Sequence, residues 1–277
     1  MTRRHATIFV SLLALLVGGA AARAAVSDIS ETFAATEPGS PIVVDHTIWA
    51  GVLKRELKVG ADGINRFNYA NAAQTERSAL KMYLANLQAI SPRRLNPAEQ
   101  HAYWINFYNA LTVEVVLEKY PVKSIRDISS GLLSFGPWDR KLVRVDGREL
   151  SLNNIEQDIL RADWHDPRAH YALNCASLGC PNLRPLPYDG RDLDAELDAA
   201  ARDFIPRAVA LRDGRMTLSR IYRWYVGDFG GSDASIIRHL RKYAAPELAS
   251  RMAQVSTIEG YQYDWRLNDV GSEITPP

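Results

Sequence analysis

The stretch Asn96-Pro97-Ala98-Glu99-Gln100-His101-Ala102-Tyr103-Trp104-Ile105-Asn106-Phe107-Tyr108-Asn109-Ala110-Leu111-Thr112-Val113, continuing to Tyr120-Pro121, decides the architecture. Asn96 can cap a helix, Pro97 suits the first helical position, and Glu99 stands where a capping box places its acid. The pattern predicts a helix over 97–119. Apolar side chains occupy nearly every side of it, so it is a central, buried helix rather than an amphipathic surface one. Asn106 and Asn109 lie three apart on one face of that helix. Buried amides need partners, so the pair either braces neighbouring loops or borders a site.

Working outward, Asp45 can cap a helix that carries Ile48, Trp49, Val52, Leu53 and Leu57 as one stripe. Asp62-Gly63 marks a turn, and a second helix is expected over 75–90, with Leu80, Tyr83, Leu84 and Leu87 inward. Downstream, residues 141–150 read as a hairpin turning at Asp146-Gly147. Ser151 can cap a short helix, Leu152 to Arg161, that carries Glu156. Residues 169–175 read as a strand, followed by a loop to Pro187 rich in Gly, Pro, Ser and Asn. Asp192 can cap a helix with Leu193, Leu197, Ala200, Phe204 and Ile205 on one side, and a second hairpin turns at Asp213-Gly214. Ser219 or Asp233 can start further helices, and Tyr261, Tyr263 and Trp265 alternate as a final strand. No repeat or internal linker divides the chain. The expected fold is one α+β domain over 45–270, a buried central helix packed on a small antiparallel sheet, with a short tail over 271–277.

The N-terminus reads differently. Arg3 and Arg4 precede an apolar run from Ile8 to Val17, and Ala22-Arg23-Ala24 fits a signal-peptidase site. Residues 1–24 are expected to be a signal peptide, 25–44 a flexible leader, and the mature protein periplasmic or secreted. No further run approaches transmembrane length. Lys plus Arg number 33 against 32 Asp plus Glu, in a chain of 277 residues. That balance supplies no basic excess to neutralise phosphates and argues against a nucleic-acid binder.

Several chemistries lack their carriers. There is no G-x-x-x-x-G-K, no G-x-G-x-x-G after a strand, no H-E-x-x-H and no G-x-S-x-G, and no cofactor is expected. The dense cluster is His170 to Pro181, which holds the chain's two cysteines, Cys175 and Cys180. A thiol needs a base to act near neutral pH. His170 can supply it, with Glu156 orienting the ring and Cys180 as the alternative thiol. Asn106 or Asn109 would then support the site by donating to a developing oxyanion. On a regular strand, however, His170 and Cys175 face opposite ways, so their meeting requires a bend near Asn174. A second reading is a Cys175–Cys180 disulfide stiffening a loop that engages a peptide or envelope-protein partner. Asp163, His165, His170, Cys175 and Cys180 also fall close together, but their spacing does not match paired zinc ligands, and no metal is assigned. Trp49, Trp104, Trp224 and Trp265 read as core, and Tyr222, Trp224 and Tyr225 as core or an aromatic groove.

The runs 102–112 (AYWINFYNALT), 120–126 (YPVKSIR), 150–156 (LSLNNIE) and 170–181 (HYALNCASLGCP) closely resemble the bacterial "domain of unknown function 547" family. The family is in turn remotely similar to papain- and transglutaminase-like folds. The family's function is unassigned, and the resemblance implies Glu156, His170 and Cys175 as candidate site residues, with Cys180 as the alternative thiol. The residues themselves leave two readings, an exported cysteine-dependent hydrolase or acyltransferase acting on amide or peptide bonds, or the non-catalytic binding module. One departure stands out. Papain-like enzymes place the nucleophilic Cys at the start of the central helix, before the His. Here residues 96–101 contain no Cys, and both thiols follow His170.

Overall fold

The computed structural model describes residues 27–128 and 136–272. The expected signal peptide, and the tail beyond 272, lie outside the described residues. In chain order the elements are α1 (Asp28–Phe33), α2 (Thr47–Glu56), β1 (Leu57–Val59), β2 (Asn65–Phe67), α3 (Tyr69–Thr75), α4 (Arg77–Gln88) and α5 (Pro97–Lys119). Then come β3 (Val143–Val145), β4 (Arg148–Leu150), a π-helix (Asn154–Arg161), α6 (Ala162–Trp164), α7 (Ala169–Ala172), α8 (Leu193–Ala208), β5 (Val209–Arg212) and β6 (Arg215–Ser219). The chain closes with α9 (Ile221–Trp224), α10 (Asp233–Tyr243), α11 (Pro246–Met252) and β7 (Ile258–Gln262).

The fold is α+β, and it is organised by α5. Asn96 Oδ1 accepts the Glu99 amide at 3.0 Å, as the sequence predicts. Glu99 does not close the box. Its Oε1 accepts the Val44 amide at 2.7 Å, so a local cap is exchanged for a tertiary tie. Every residue from Glu99 to Val113 is buried. A helix apolar on all sides needs cover on all sides, and helices supply it: α3, α4 and the π-helix pack around α5. This corrects the expectation of a central helix lying on an antiparallel sheet. Two of the sheets are two-stranded antiparallel pairs, β1–β2 and β3–β4. The third, β5-β6-β7, pairs β6 with β7 in parallel and belongs to a second core. That core gathers Phe204, Met216, Leu218, Tyr222, Phe229, Ile236 and Leu240.

The hairpins at Asp146-Gly147 and Asp213-Gly214 form where expected. The helix read over 75–90 forms as α4, Arg77–Gln88, and a separate short helix, α3, ends just before it at the buried Glu76, whose carboxylate is forked by Arg55 of α2 at 2.6 and 2.7 Å. The expected flexible leader is packed from α1 onward. Phe33 is fully buried, edge-on to Trp104 at 5.1 Å, because α5 leaves an apolar face there to be covered. The predicted strand over 169–175 is a correction of more consequence. Residues 169–172 make the single helical turn α7, and the chain extends only from Leu173. Tyr171 belongs to the second core while Ala172 and Leu173 belong to the first, so this segment joins the two.

Candidate functional site

The amides of α5 set the position of the site. Asn109 Nδ2 donates to the Ala172 carbonyl at 2.9 Å, and its Oδ1 accepts the Asn174 amide at 2.8 Å. One side chain thereby holds the bend that follows α7. Asn174 continues the brace, donating to the Pro181 carbonyl at 2.7 Å and accepting the Ala176 amide at 3.0 Å. Ala176 adopts φ 58°, in the left-handed region, which turns the chain back on itself. The far side of the loop is zipped to the C-terminal segment. Leu178 N donates to the Arg266 carbonyl and Gly179 N to the Asp264 carbonyl, both at 2.9 Å. A Cβ on Gly179 would lie 2.8 Å from the Asp264 nitrogen, so this contact requires glycine. Within the loop Cys175 and Cys180 form a disulfide. The sulfurs lie 3.0 and 3.1 Å from the Tyr263 hydroxyl, which donates to them, since a disulfide has no proton to give. The Cys175 amide points at Cys180 Sγ from 2.9 Å.

The bend brings together what a straight strand would have kept apart. Glu156, His170, Cys175 and Cys180 all line one cleft of about 230 Å3. Its walls are aromatic: Tyr108 from α5, Trp138, Trp224 and Tyr225 around α9, and Tyr263 and Trp265 past the end of β7. Trp224, Tyr263 and Trp265 pack on one another with ring centroids 4.6 to 5.5 Å apart.

The sequence-derived roles are redistributed. Glu156 does not orient His170. Its Oε2 accepts the Tyr108 hydroxyl at 3.1 Å, and its Oε1 accepts the Tyr225 hydroxyl. The partner of His170 is Asp228, with Nε2 to Oδ2 at 2.7 Å. Arg161 forks the same carboxylate at 2.6 and 2.9 Å. Burial works against the Asp228 charge, but the hydrogen bonds from His170 and Arg161, reinforced by the Arg161 charge, hold its pKa well below the ordinary range. The imidazole is nearly buried and stacks on Tyr225 at 4.0 Å. Arg161, engaged with Asp228, also lies over the Tyr225 ring at 4.9 Å. Glu156 is thus left, among the described residues, without a Lys or Arg ion-pair partner.

Asn106 and Asn109 border no part of this cleft. Asn106 pairs with both backbone groups of Tyr188, at 2.8 and 2.9 Å, and its amide nitrogen is 3.2 Å from His46 Nε2. Both amides are braces, their hydrogen-bonding capacity taken up by loops. Trp49, Trp104 and Tyr222 are core, as expected, whereas Trp224 is 43% exposed and lines the cleft with Trp265 and Tyr225. Asp228 and Tyr263 were not legible as site residues. Asp228 sits in a glycine-flanked turn 58 positions from its histidine, and Tyr263 reads as one more strand aromatic. Among the described residues no group of three or more His, Cys, Asp or Glu is placed to hold a metal ion.

Residues 92–205 match the family model described as a protein of unknown function, DUF547. The match contains Glu156, His170 and both cysteines, but not Asp228 or the aromatic wall formed by residues 224–265. No curated protein and no solved structure matches the chain.

Proposed function

We propose that this member of the DUF547 family is an exported binding protein whose aromatic cleft takes a cationic side chain of a peptide or envelope-protein partner. One observation carries the reading: three indoles and three phenols line one cleft with Glu156, a carboxylate that, among the described residues, no Lys or Arg ion-pairs. Aromatic faces attract a cation through their quadrupoles, and a desolvated site strengthens the attraction. Glu156 adds a carboxylate, held in place by two phenol donors. A cleft of about 230 Å3 is smaller than the sites that enclose drug-sized ligands. It suits a single long side chain. The disulfide, locked to Tyr263 and to the 264–267 segment, keeps the floor rigid, so little ordering remains for the ligand to bring about.

The test compares a cation with its neutral isostere. Nα-acetyl-lysine amide should quench or shift the tryptophan fluorescence saturably, and Nα-acetyl-norleucine amide should bind about tenfold more weakly. Glu156→Gln should remove that difference. Equal binding of the two amides would overturn the reading.

A second reading is favoured by the shared lining of His170 and Cys175 and by the Asp228 carboxylate on the imidazole. The papain- and transglutaminase-like kinship that the sequence resemblance implies points the same way. On this reading the disulfide masks a thiol hydrolase or acyltransferase. After an external dithiol has reduced the disulfide, Cys175 attacks an amide carbonyl, His170 passes the thiol proton to the leaving amine, water or an acceptor amine takes the acyl group from the thioester, and Asp228 steadies the ring. Reduced protein should then be labelled at Cys175 by an electrophilic amide mimic, and Cys175→Ser and His170→Ala should each abolish the labelling. Labelling retained in His170→Ala would remove the base from the scheme.

A further inference from the structure

Behind the disulfide loop lies a second cleft, of about 500 Å3, which shares only Tyr263 with the first. Three guanidinium groups line it, those of Arg66, Arg207 and Arg266. Two are matched by carboxylates. Arg66 is forked to Asp62 at 2.9 and 2.8 Å, and Arg266 is held by Asp264 at 3.0 Å.

Arg207 is different. It makes no ion pair within the described residues. One Nη donates to the Cys180 carbonyl at 2.8 Å, and the guanidinium lies over the Phe204 ring at 4.8 Å. Its Nε is buried and has no acceptor. Burial also lowers the pKa of this group, with the Asp203 carboxylate opposing the shift. A charged donor removed from water without a carboxylate in contact with it is costly, and among the described residues no carboxylate ion-pairs with Arg207.

We infer that this second cleft is a binding site for an oxyanion, a phosphate or a carboxylate group, with Arg207 as its principal contact and Arg66 and Arg266 at its rim. Guanidinium matches both ligands, because its planar fork presents parallel donors to two oxygens. The one carboxylate in the lining, Asp264, is taken up by Arg266, and neutral donors stand beside the arginines. The Gln262 amide borders the cleft, and so does Ser219, whose oxygen accepts the Ile221 amide at 3.4 Å and whose proton is left to donate. The Cys180 carbonyl fixes one edge of Arg207, so an anion bound here would bear on the loop that floors the aromatic cleft.

The probes are inorganic phosphate and acetate, each titrated against sodium chloride at matched ionic strength. Either anion should bind saturably and raise the unfolding temperature beyond the chloride control, and the stronger of the two identifies the ligand geometry. Arg207→Met should weaken that binding by about tenfold or more, with Arg207→Lys recovering part of it. If Arg207→Met does not fold, the wild-type protein decides the matter: the Nε–Hε resonance of Arg207 should move on titration with the bound anion. Neither anion exceeding chloride, an Arg207 resonance that stays still, or full affinity in a folded Arg207→Met would each overturn the assignment. These readouts are independent of what enters the aromatic cleft.

Discussion

Asn109 shows how much of the site rests on a single buried amide. Its two hydrogen bonds fix the carbonyl of Ala172 and the amide of Asn174, the two ends of the bend that turns His170 and Cys175 toward one cleft. Asn109→Ala would leave both backbone groups buried and unpaired, at about 1–3 kcal/mol each. Urea unfolding should therefore show a loss of roughly 2–6 kcal/mol for this variant. Asn109→Asp should do no better, since a carboxylate cannot donate to the Ala172 carbonyl. A near-neutral Asn109→Ala would mean the bend holds itself. At this scale the sequence was half legible. Glu156, His170, Cys175 and Cys180 were identifiable because their chemistry is confined to few residue types, and all four line the cleft. The actual partner of His170, Asp228, was not, because the pairing is made by tertiary folding across 58 positions with no local periodicity to mark it.

At the scale of elements, α5 was readable to the residue because cap, first-turn proline and apolar content all agree. The segment 169–175 was not. Its alternation suggests a strand, yet Asn109 captures the Ala172 carbonyl, and both flanks are drawn into different cores. Tertiary contacts override a seven-residue pattern. The disulfide loop is a second element with a checkable property. Its cysteines are only five positions apart, so closing the loop limits the unfolded chain little, by about 2 kcal/mol in the loop-entropy description. The zippering to residues 264–267 survives reduction in this account. Reduced protein should stay folded, with a drop in stability of about 2 kcal/mol by chemical denaturation. Global unfolding on reduction at neutral pH would show that the covalent link, rather than the hydrogen bonds, holds the cleft floor.

Across the whole molecule, three histidines, one buried and two half-buried, are held in the neutral form. Burial pushes His46, His101 and His239 each down to about 4, with nearby acid charges opposing the shift in every case. His46 sits between Tyr83 and Asn106, His101 stacks on Trp164 at 4.6 Å, and His239 faces Tyr171 at 2.9 Å. In the unfolded chain each titrates near 6.5, so between about pH 6.5 and 4 the unfolded state binds more protons. Stability should be full above that window and fall as pH drops through it, by about 1.4 kcal/mol per pH unit for each proton taken up. Urea midpoints measured at pH 7, 6 and 5 check this, and a flat profile would contradict it. The aromatic cleft lies where the two cores meet, with wall residues drawn from within the 92–205 match and from the chain beyond it. The six indole N–H resonances test that placement most directly. On titration with Nα-acetyl-lysine amide, those of Trp138, Trp224 and Trp265 should shift together along one saturation curve, while Trp49, Trp104 and Trp164 stay fixed. Shifts spread over all six, or confined to the core indoles, would contradict the account.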